Sequence, residues 1–320
     1  METADQSQLT VGLAQIAPVW LDRARTLQKV NAFIEQAAVK RCGLVVFGGG
    51  DRAGLSVLGG THGWSPAQFG SPEGDLRRVR LLGGPAGCRR PRSRPCNGRE
   101  ESHRCISGRR GVPGRPRRSQ PLLLVGVYRP RRPDRIAPPE AAPTYEERLV
   151  WSPGDGHGLR THKVGAFRAG ALNCWENWMP LSRAALYAQG EDLHVAVWPG
   201  STRNTRDITR FIAVEARSYV VSVSGLMRPC DIGGASGWRD MVRSASSEIL
   251  ADGGSCVAGP DGQWVVQPMP SEERLEVAVL DHRQVLKERH NFDPAGHYAR
   301  PDVTRLEVSR HRQTLVSFSE

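Results

Sequence analysis

The hydrophobic pattern at the start of the chain predicts a strand, a helix and a second strand. Val11 to Ala17 alternates and then runs apolar, and Leu21 to Lys40 carries apolar residues at helical spacing. Leu44 to Phe47 is a short apolar run that predicts the second strand. This order is typical of α/β proteins, and 320 residues are enough for one large domain with an ample core.

Similar patterns resume in the second half of the chain. Ala166 to Leu172 is small and apolar with no helical stripe, which predicts a buried strand. Pro180 suits the first turn of a helix, and that helix continues from Leu181 to Gln189. Further on, the pattern predicts a helix over Asp207–Arg217, a strand over Tyr219–Val223, a strand and a hairpin turn between Gly253 and Gly262, and an alternating strand over Leu275–Leu280.

Cys174 lies in the predicted turn between the strand that ends near Leu172 and the helix that opens at Pro180. Most single cysteines in proteins are small buried hydrophobic residues. The backbone N–H groups of a strand-to-helix turn, however, can stabilise a thiolate and hold an oxyanion. The position therefore makes Cys174 a candidate nucleophile.

Long motifs surround this cysteine. They are Cys174-Trp175-Glu176-Asn177 with Trp178-Met179-Pro180-Leu181, then Ala196-Val197-Trp198-Pro199-Gly200, and upstream Pro143-Thr144-Tyr145-Glu146-Glu147-Arg148. These motifs closely resemble nitrilases of the carbon-nitrogen hydrolase superfamily, over roughly residues 8–48 and 143–310. The resemblance implies one domain over residues 1–320, folded as a four-layer α-β-β-α sandwich, with a C-terminal tail over 304–320.

The resemblance also implies a catalytic tetrad. Cys174 would be the nucleophile and Glu147 the second glutamate, while a general-base glutamate and a lysine complete the set. We expect Trp175 and Glu176 to belong to the pocket and oxyanion site, and His297 in the late motif to be structural or interfacial. The resemblance implies no metal or organic cofactor.

Two of the four catalytic side chains are missing from the sequence as written. The second strand of the family normally ends in Phe-Gly-Glu, whereas this chain reads Phe47-Gly48-Gly49-Gly50-Asp51. Glu140 or Ala141 stands where the lysine belongs. Asp51 has a shorter side chain in a different register, so we do not expect it to replace the glutamate. The expected nitrilase is therefore impaired.

Residues 49–142 are rich in arginine, proline and glycine and show almost no helix or strand period, so we expect irregular structure there. The codons that these amino acids imply offer an explanation. Shifted by one base, the codons of residues 49–58 can encode Glu-Ala-Ile-Val-Pro-Gly-Tyr-Pro-Phe-Trp, and those of 138–142 can encode His-Arg-Lys-Leu. Both peptides fit the family, including its glutamate and its lysine. We hypothesise a one-base shift near codon 48 that is compensated near codon 142.

Charge supports the separation of this segment from the rest. The chain carries a formal charge of +11, but residues 77–135 hold eighteen arginines and three acidic residues. Their charge of +15, subtracted from +11, leaves about −4 for the remainder, as in a mildly acidic enzyme. A disordered basic insert or an RNA-binding arm is the alternative interpretation, but we do not expect nucleic acid as a partner.

Cysteine spacing and hydropathy limit the remaining classes. Seven scattered cysteines do not suggest a disulfide framework, and Cys88, Cys96, Cys105 and His103 lack the tight pairs of a zinc site. No segment reaches the roughly eighteen apolar residues of a membrane span, so we expect a cytoplasmic protein without a membrane partner. Relatives of this kind self-associate, which predicts a homo-oligomer, a dimer or larger.

The leading interpretation is an impaired nitrilase that converts an organic nitrile to a carboxylic acid and ammonia through a cysteine thioimidate and thioester. An amidase or carbamoylase of the same superfamily is the first alternative. A non-catalytic, nucleic-acid-binding protein is the second.

Overall fold

The computed structural model describes residues 7–19, 22–48, 154–228, 231 and 251–311, together with the backbone of 127–129 and 132–136. Its longer helices are α1 (Arg23–Val39), α2 (Pro180–Tyr187), α3 (Thr202–Ala216) and α4 (His282–Asn291). Its strands are β1 (Gln8–Gln15), β2 (Leu44–Phe47), β3 (Val127–Arg129), β4 (Arg132–Ile136), β5 (His162–Val164), β6 (Phe167–Asn173), β7 (Leu193–Trp198), β8 (Tyr219–Ser224), β9 (Leu226–Met227), β10 (Ala251–Asp252), β11 (Cys256–Ala258), β12 (Trp264–Val266) and β13 (Arg274–Asp281).

The first sheet has the strand order β13-β1-β2-β3-β4. β1 runs parallel to β2 and antiparallel to β13, with Val11 opposite both Leu44 and Ala278. The helix between the two parallel strands, α1, begins after Asp22, whose side chain accepts the N–H of Arg25 at 2.9 Å. The predicted strand-helix-strand opening is confirmed, and the cap explains why α1 starts two residues later than its apolar pattern.

The second sheet has the strand order β12-β11-β8-β7-β6-β5, and β9 and β10 form a separate two-stranded ribbon. β6, β7 and β8 are mutually parallel. Neighbouring parallel strands end at the same edge of a sheet. The segments that follow Asn173, Trp198 and Ser224 therefore meet at one edge, where Cys174 begins the first of them.

The two sheets pack face to face through one apolar core. Alternate residues of each strand point into it, as the period of two requires. In β1 and β2 the inward residues include Val11, Leu13 and Val46. In the second sheet they include Leu193, Val195, Val197, Val221, Val223 and Val257.

Helices cover the outer faces of both sheets. Phe33, Ile34 and Ala37 of α1 pack on the outer side of the first sheet. Ile208, Ile212 and Ala213 of α3 pack on the outer side of the second sheet, against Ala196, Trp198 and Val220. The resulting order of layers is helix, sheet, sheet, helix, so the predicted four-layer α-β-β-α sandwich is confirmed.

Two strands lie inside the segment for which irregular structure was expected. β3 pairs antiparallel with β2, placing Tyr128 opposite Val45, and β4 pairs with β3. The unpaired edge of β2 explains the difference, because exposed N–H and C=O groups of an edge strand accept another strand with little regard to its side chains. The remainder of residues 49–142 lies outside the described residues.

The C-terminal tail is exposed over residues 304–311, and a Cβ atom added to Gly156 would lie 2.1 Å from the carbonyl oxygen of Ser309. The tail therefore passes directly over Gly156. Among the helices of the described residues, none is both long and apolar enough to cross a membrane.

Candidate active site

Cys174 occupies a sharp turn at the end of β6. It has φ +50°, in the left-handed region that non-glycine residues rarely enter, and it starts a short 3₁₀ helix over Cys174–Trp178. Pro180 then opens α2, as predicted, since proline fits the first helical turn. Such a backbone conformation costs roughly 1–3 kcal/mol and persists only where the surroundings enforce it.

The side chain of Asn177 helps to hold Cys174 in this backbone conformation. Its Nδ2 donates to the carbonyl oxygen of Cys174 at 2.9 Å and to that of Leu172 at 3.3 Å. The carbonyl of Asn177 in turn accepts from Arg183 Nη1 at 2.8 Å. The side chains of Asn177 and Arg183 are buried, so these bonds are shielded from competing water.

Glu176, predicted as a pocket or oxyanion residue, has a buried side chain. Its side chain is 4% exposed, and its Oε2 accepts the N–H of Asn173 at 3.1 Å. A carboxylate three residues into a short helix commonly bonds back to the residue that precedes the helix. The observed contact of Glu176 thus holds the turn together.

A cleft opens beside Cys174. The residues that line it come from the cysteine turn, from the end of β7, and from the loop and helix that follow β7: Cys174, Trp175, Trp198, Pro199, Gly200, Ser201, Asn204 and Thr205. Trp175, predicted as a pocket residue, does lie in this lining. The walls combine apolar rings with a few polar groups, which suits a small, weakly polar ligand.

The other predicted catalytic positions lie outside the described residues, whereas His297 lies within them. Glu147 lies outside the described residues, as do residues 49, 50, 51, 140 and 141, where the family's other two catalytic groups were sought. His297 is exposed, and its ring meets the ring of Tyr298 edge-on at 5.6 Å.

The end of β2 lies close to the strand edge that carries Cys174. A Cβ atom added to Gly48 would lie 2.4 Å from the backbone N of Gly225, which follows β8. The N–H of Gly225 donates to the carbonyl of Trp198 at 3.2 Å, and Trp198 lines the cleft. The two sheets therefore meet beside the cleft, immediately before position 49 in the sequence.

Buried polar side chains behind the turn were not anticipated from the sequence. His194 and Glu191 are both fully buried, with His194 Nδ1 3.0 Å from Glu191 Oε1 and His194 Nε2 2.9 Å from Asn177 Oδ1. The available signal was a histidine in the otherwise apolar run of β7, where a buried imidazole requires partners.

A second group ties the same turn to α3. Arg183 bonds Glu215 through Nε at 2.8 Å and through Nη2 at 3.1 Å, and the hydroxyl of Tyr187 donates to Glu215 at 2.7 Å. Two-point contacts between arginine and a carboxylate fix geometry as well as charge. The two helices of the outer layer are thus held at a set distance beside Cys174.

Other cysteines of the described residues have environments that oppose reactivity. Burial raises the pKa of the Cys256 thiol to about 12, despite a hydrogen bond to Thr209 that acts the other way. Burial also raises the pKa of Cys42. Because the thiolate is the nucleophile, both thiols are suppressed at neutral pH.

Comparison with known proteins agrees with this architecture. Residues 118–286 match the family model of the carbon-nitrogen hydrolases. Nitrilase 2 from an unknown prokaryotic organism is 30% identical over 326 aligned residues, which cover 98% of this chain and 96% of the relative. An aliphatic nitrilase from Rhodococcus rhodochrous is 34% identical over 188 residues, covering 55% of this chain and 49% of the relative. The chain thus spans nearly all of the first relative and about half of the second.

Solved structures show the same fold. A carbon-nitrogen hydrolase from Helicobacter pylori G27 has a TM-score of 0.60 at 15% identity, covering 92% of this chain and 96% of that structure. An amidase of the nitrilase superfamily from Nesterenkonia AN1 has a TM-score of 0.55 at 14% identity, covering 91% and 97%.

The sequence matches extend further than the two ranges from which the resemblance was drawn, residues 8–48 and 143–310. The family match begins at residue 118, and the alignment with Nitrilase 2 also includes the arginine-rich segment. The chain therefore belongs to the carbon-nitrogen hydrolase superfamily, as a relative of the nitrilases.

Proposed function

We propose that the chain is a nitrilase by descent, with Cys174 as the nucleophile for an organic nitrile. The observation that carries the proposal is the left-handed turn at Cys174, which opens into a cleft walled by Trp175 and Trp198. Relatives at 30% and 34% identity bear the names Nitrilase 2 and aliphatic nitrilase.

The proposed reaction has three steps. The Cys174 thiolate adds to the nitrile carbon, and a proton on the nitrogen gives a thioimidate. One water molecule adds to the thioimidate and ammonia leaves, which gives a thioester. A second water molecule hydrolyses the thioester to the carboxylic acid and regenerates the thiol. Backbone N–H groups of the turn are suited to the negative charge that develops in these steps.

A nitrile carbon is a weak electrophile, so the reaction also needs a base and a cation or donor. We propose Glu147 as the second glutamate of the tetrad. The general-base glutamate and the lysine are absent from the sequence as written. Gly49 or Gly50 stands where the glutamate belongs, and Glu140 or Ala141 where the lysine belongs. Loss of general acid-base catalysis alone typically costs about 10²–10⁴ in rate. We therefore propose that this polypeptide is a strongly impaired enzyme.

Covalent trapping tests the nucleophile without requiring full turnover. At about pH 9 an unassisted thiol is substantially ionised, so a small nitrile is expected to add its own mass to the Cys174 peptide. The Cys174→Ala chain is the control, and the matching amide, offered in parallel, separates nitrilase from amidase chemistry. Modification of Cys42 or Cys256 with none at Cys174 would refute the assignment.

We also propose that the chain self-associates through its outer helical layer. Exposed apolar side chains cluster on α2, α3 and the turn before α2: Trp178 46%, Met179 46%, Leu181 66%, Phe211 55% and Val214 40% exposed. Several exposed apolar side chains on two adjacent helices favour a protein interface. Light scattering should give the molar mass of a dimer or a larger assembly. Leu181→Glu should lower the measured molar mass towards that of the monomer. A monomeric parent chain would refute this proposal.

A further inference from the structure

The buried chain of contacts behind Cys174 ends on the backbone carbonyl of that residue. Glu191 contacts His194, His194 contacts Asn177, and the amide of Asn177 holds the carbonyl of Cys174. His194 uses one ring nitrogen on Glu191 and the other on Asn177, so neither is available as a base for Cys174 Sγ. The histidine therefore acts on the geometry of the nucleophile.

Hydrogen-bond accounting fixes the direction of each contact. Both N–H groups of Asn177 Nδ2 are donated to the carbonyls of Leu172 and Cys174, so Asn177 Oδ1 is an acceptor. His194 Nε2 must then carry a hydrogen. A further hydrogen lies between His194 Nδ1 and Glu191 Oε1, because these two atoms are 3.0 Å apart in a fully buried site and one of them must donate.

The absence of a side chain at Gly170 leaves the space that Glu191 occupies. A Cβ atom on Gly170, in the neighbouring strand β6, would lie 2.0 Å from Glu191 Oε1. Within the described residues, the second carboxyl oxygen of Glu191 is buried and has no hydrogen-bond partner. Burying the Glu191 carboxyl group with one unsatisfied oxygen destabilises the fold. The hydrogen bond between Glu191 and His194 offsets part of this destabilisation.

We infer that Asn177, held by the Glu191–His194 pair, is the positioning residue that clamps Cys174 in its left-handed conformation and directs Sγ into the cleft. The inference rests on the proposed role of Cys174 as nucleophile and adds the device that orients it. The clamp balances the strain of a non-glycine residue at φ +50°.

The test is the rate at which iodoacetamide alkylates Cys174 in the folded full-length chain, read peptide by peptide. In the parent chain Cys174 should react at least about tenfold faster than Cys42 and Cys256, because burial raises the pKa of those two thiols and so reduces their reactive thiolate form. If Cys174 were alkylated more slowly than Cys42 and Cys256, the proposal that Cys174 is the nucleophile would be refuted. All variants are compared at conditions where circular dichroism shows them fully folded.

Asn177→Ala should slow Cys174 alkylation by about tenfold, since the lost bonds are each worth roughly a tenfold factor or less. His194→Leu should slow it similarly, whereas His194→Gln, which keeps an N–H for Asn177, should restore most of the rate. If Cys174 is alkylated rapidly in the parent chain and at an equal or higher rate in Asn177→Ala, the positioning role of Asn177 is refuted. The proposal that Cys174 is the nucleophile is then unaffected.

A matched control is the contact of His282 with Asp192, the residue that precedes β7. His282 Nε2 contacts Asp192 at 2.9 Å, a second histidine–carboxylate pair of the described residues that does not reach the cysteine turn. His282→Gln should leave Cys174 alkylation within about twofold of the parent rate, a range smaller than one hydrogen bond. Equal slowing in this control would show a general loss of rigidity and would overturn the inference.

A measurement on the parent chain covers the case in which the variants fail to fold. With ¹⁵N-labelled histidine, His194 Nε2 in the folded chain should carry a slowly exchanging hydrogen. An unprotonated Nε2 would reverse the contact with Asn177 and so overturn the clamp.

Discussion

Gly48 and Gly225 touch backbone to backbone where the two sheets meet, so closely that a Cβ atom on Gly48 would lie 2.4 Å from Gly225 N. Gly48 follows β2 in the first sheet, and Gly225 follows β8 in the second. The family resemblance predicts the catalytic base at the next position in sequence after this glycine. The contact would allow a residue of the first sheet to reach the proposed nucleophile Cys174, which belongs to the second.

Gly48→Ala should destabilise the chain by about 1–3 kcal/mol, because the neighbouring atoms are backbone and cannot move aside. Gly12→Ala is the matched control in the same sheet. There the three atoms nearest to a Cβ atom would belong to side chains: Leu275 Cδ1 at 3.1 Å, Cys42 Sγ at 3.3 Å and Val45 Cγ2 at 3.5 Å. Urea unfolding measures both. Equal losses would show that the contact at Gly48 is not unusually tight.

Gln15 joins three segments beneath the same edge and is fully buried. Its Nε2 donates to the carbonyls of Pro270 and Glu272, and its Oε1 accepts the N–H of Ser255. Gln15→Leu should cost about 3 kcal/mol in the free energy of unfolding, since it leaves three backbone groups unpaired. Gln36→Leu, on the exposed side of α1, should change stability by less than about 0.5 kcal/mol. A small loss in Gln15→Leu would contradict the buried hydrogen bonds.

Tyr187 predicts how stability depends on pH. Burial, and then its hydrogen bond to Glu215, raises the pKa of Tyr187 far above its ordinary value near 10. Below about pH 10 both states keep the phenolic proton. Above it the unfolded state loses the proton and the folded state does not, so stability falls as pH rises.

The comparison of the parent chain with Tyr187→Phe isolates this effect. At pH 8 the variant should be less stable by about 1 kcal/mol, because it loses the bond to Glu215. Between about pH 10 and 11 the difference should narrow, since phenylalanine cannot ionise. Urea midpoints across this range supply the measurement, and a constant difference would contradict the buried, protonated Tyr187.

Much of the fold could be read from the sequence because its elements have strong periods and clear ends. The strand that leads to Cys174 was expected over 166–172 and is Phe167–Asn173, and the following helix begins at Pro180 as predicted. β3 and β4 could not be predicted, since pairing with the free edge of β2 depends on tertiary structure that a local pattern does not contain.

The site was only partly predictable for a related reason. Cys174 and Trp175 were identified from local sequence, and both line the cleft. The sequence neighbour Glu176 bonds back to Asn173, whereas Asn204 and Thr205 reach the cleft from α3. Distant residues that meet through folding, such as His194 and Asn177, leave almost no mark on local patterns.

Restoring the frame should restore the chemistry. DNA across codons 48 to 142 should show that single-base changes at both ends recover the shifted peptides, including the glutamate after Gly48 and the lysine before Pro143. If no such pair of changes exists in the DNA, the frame hypothesis fails while the family membership stands.

The most direct test of the account is nitrile turnover by two purified proteins, the chain as written and the frame-restored chain, at equal concentration of folded protein. The account predicts that kcat/KM of the chain as written is at least about 10²–10⁴ lower, the range expected for a lost general acid or base. Cys174→Ala in the restored chain should abolish turnover. Equal kcat/KM for the two proteins would contradict the account.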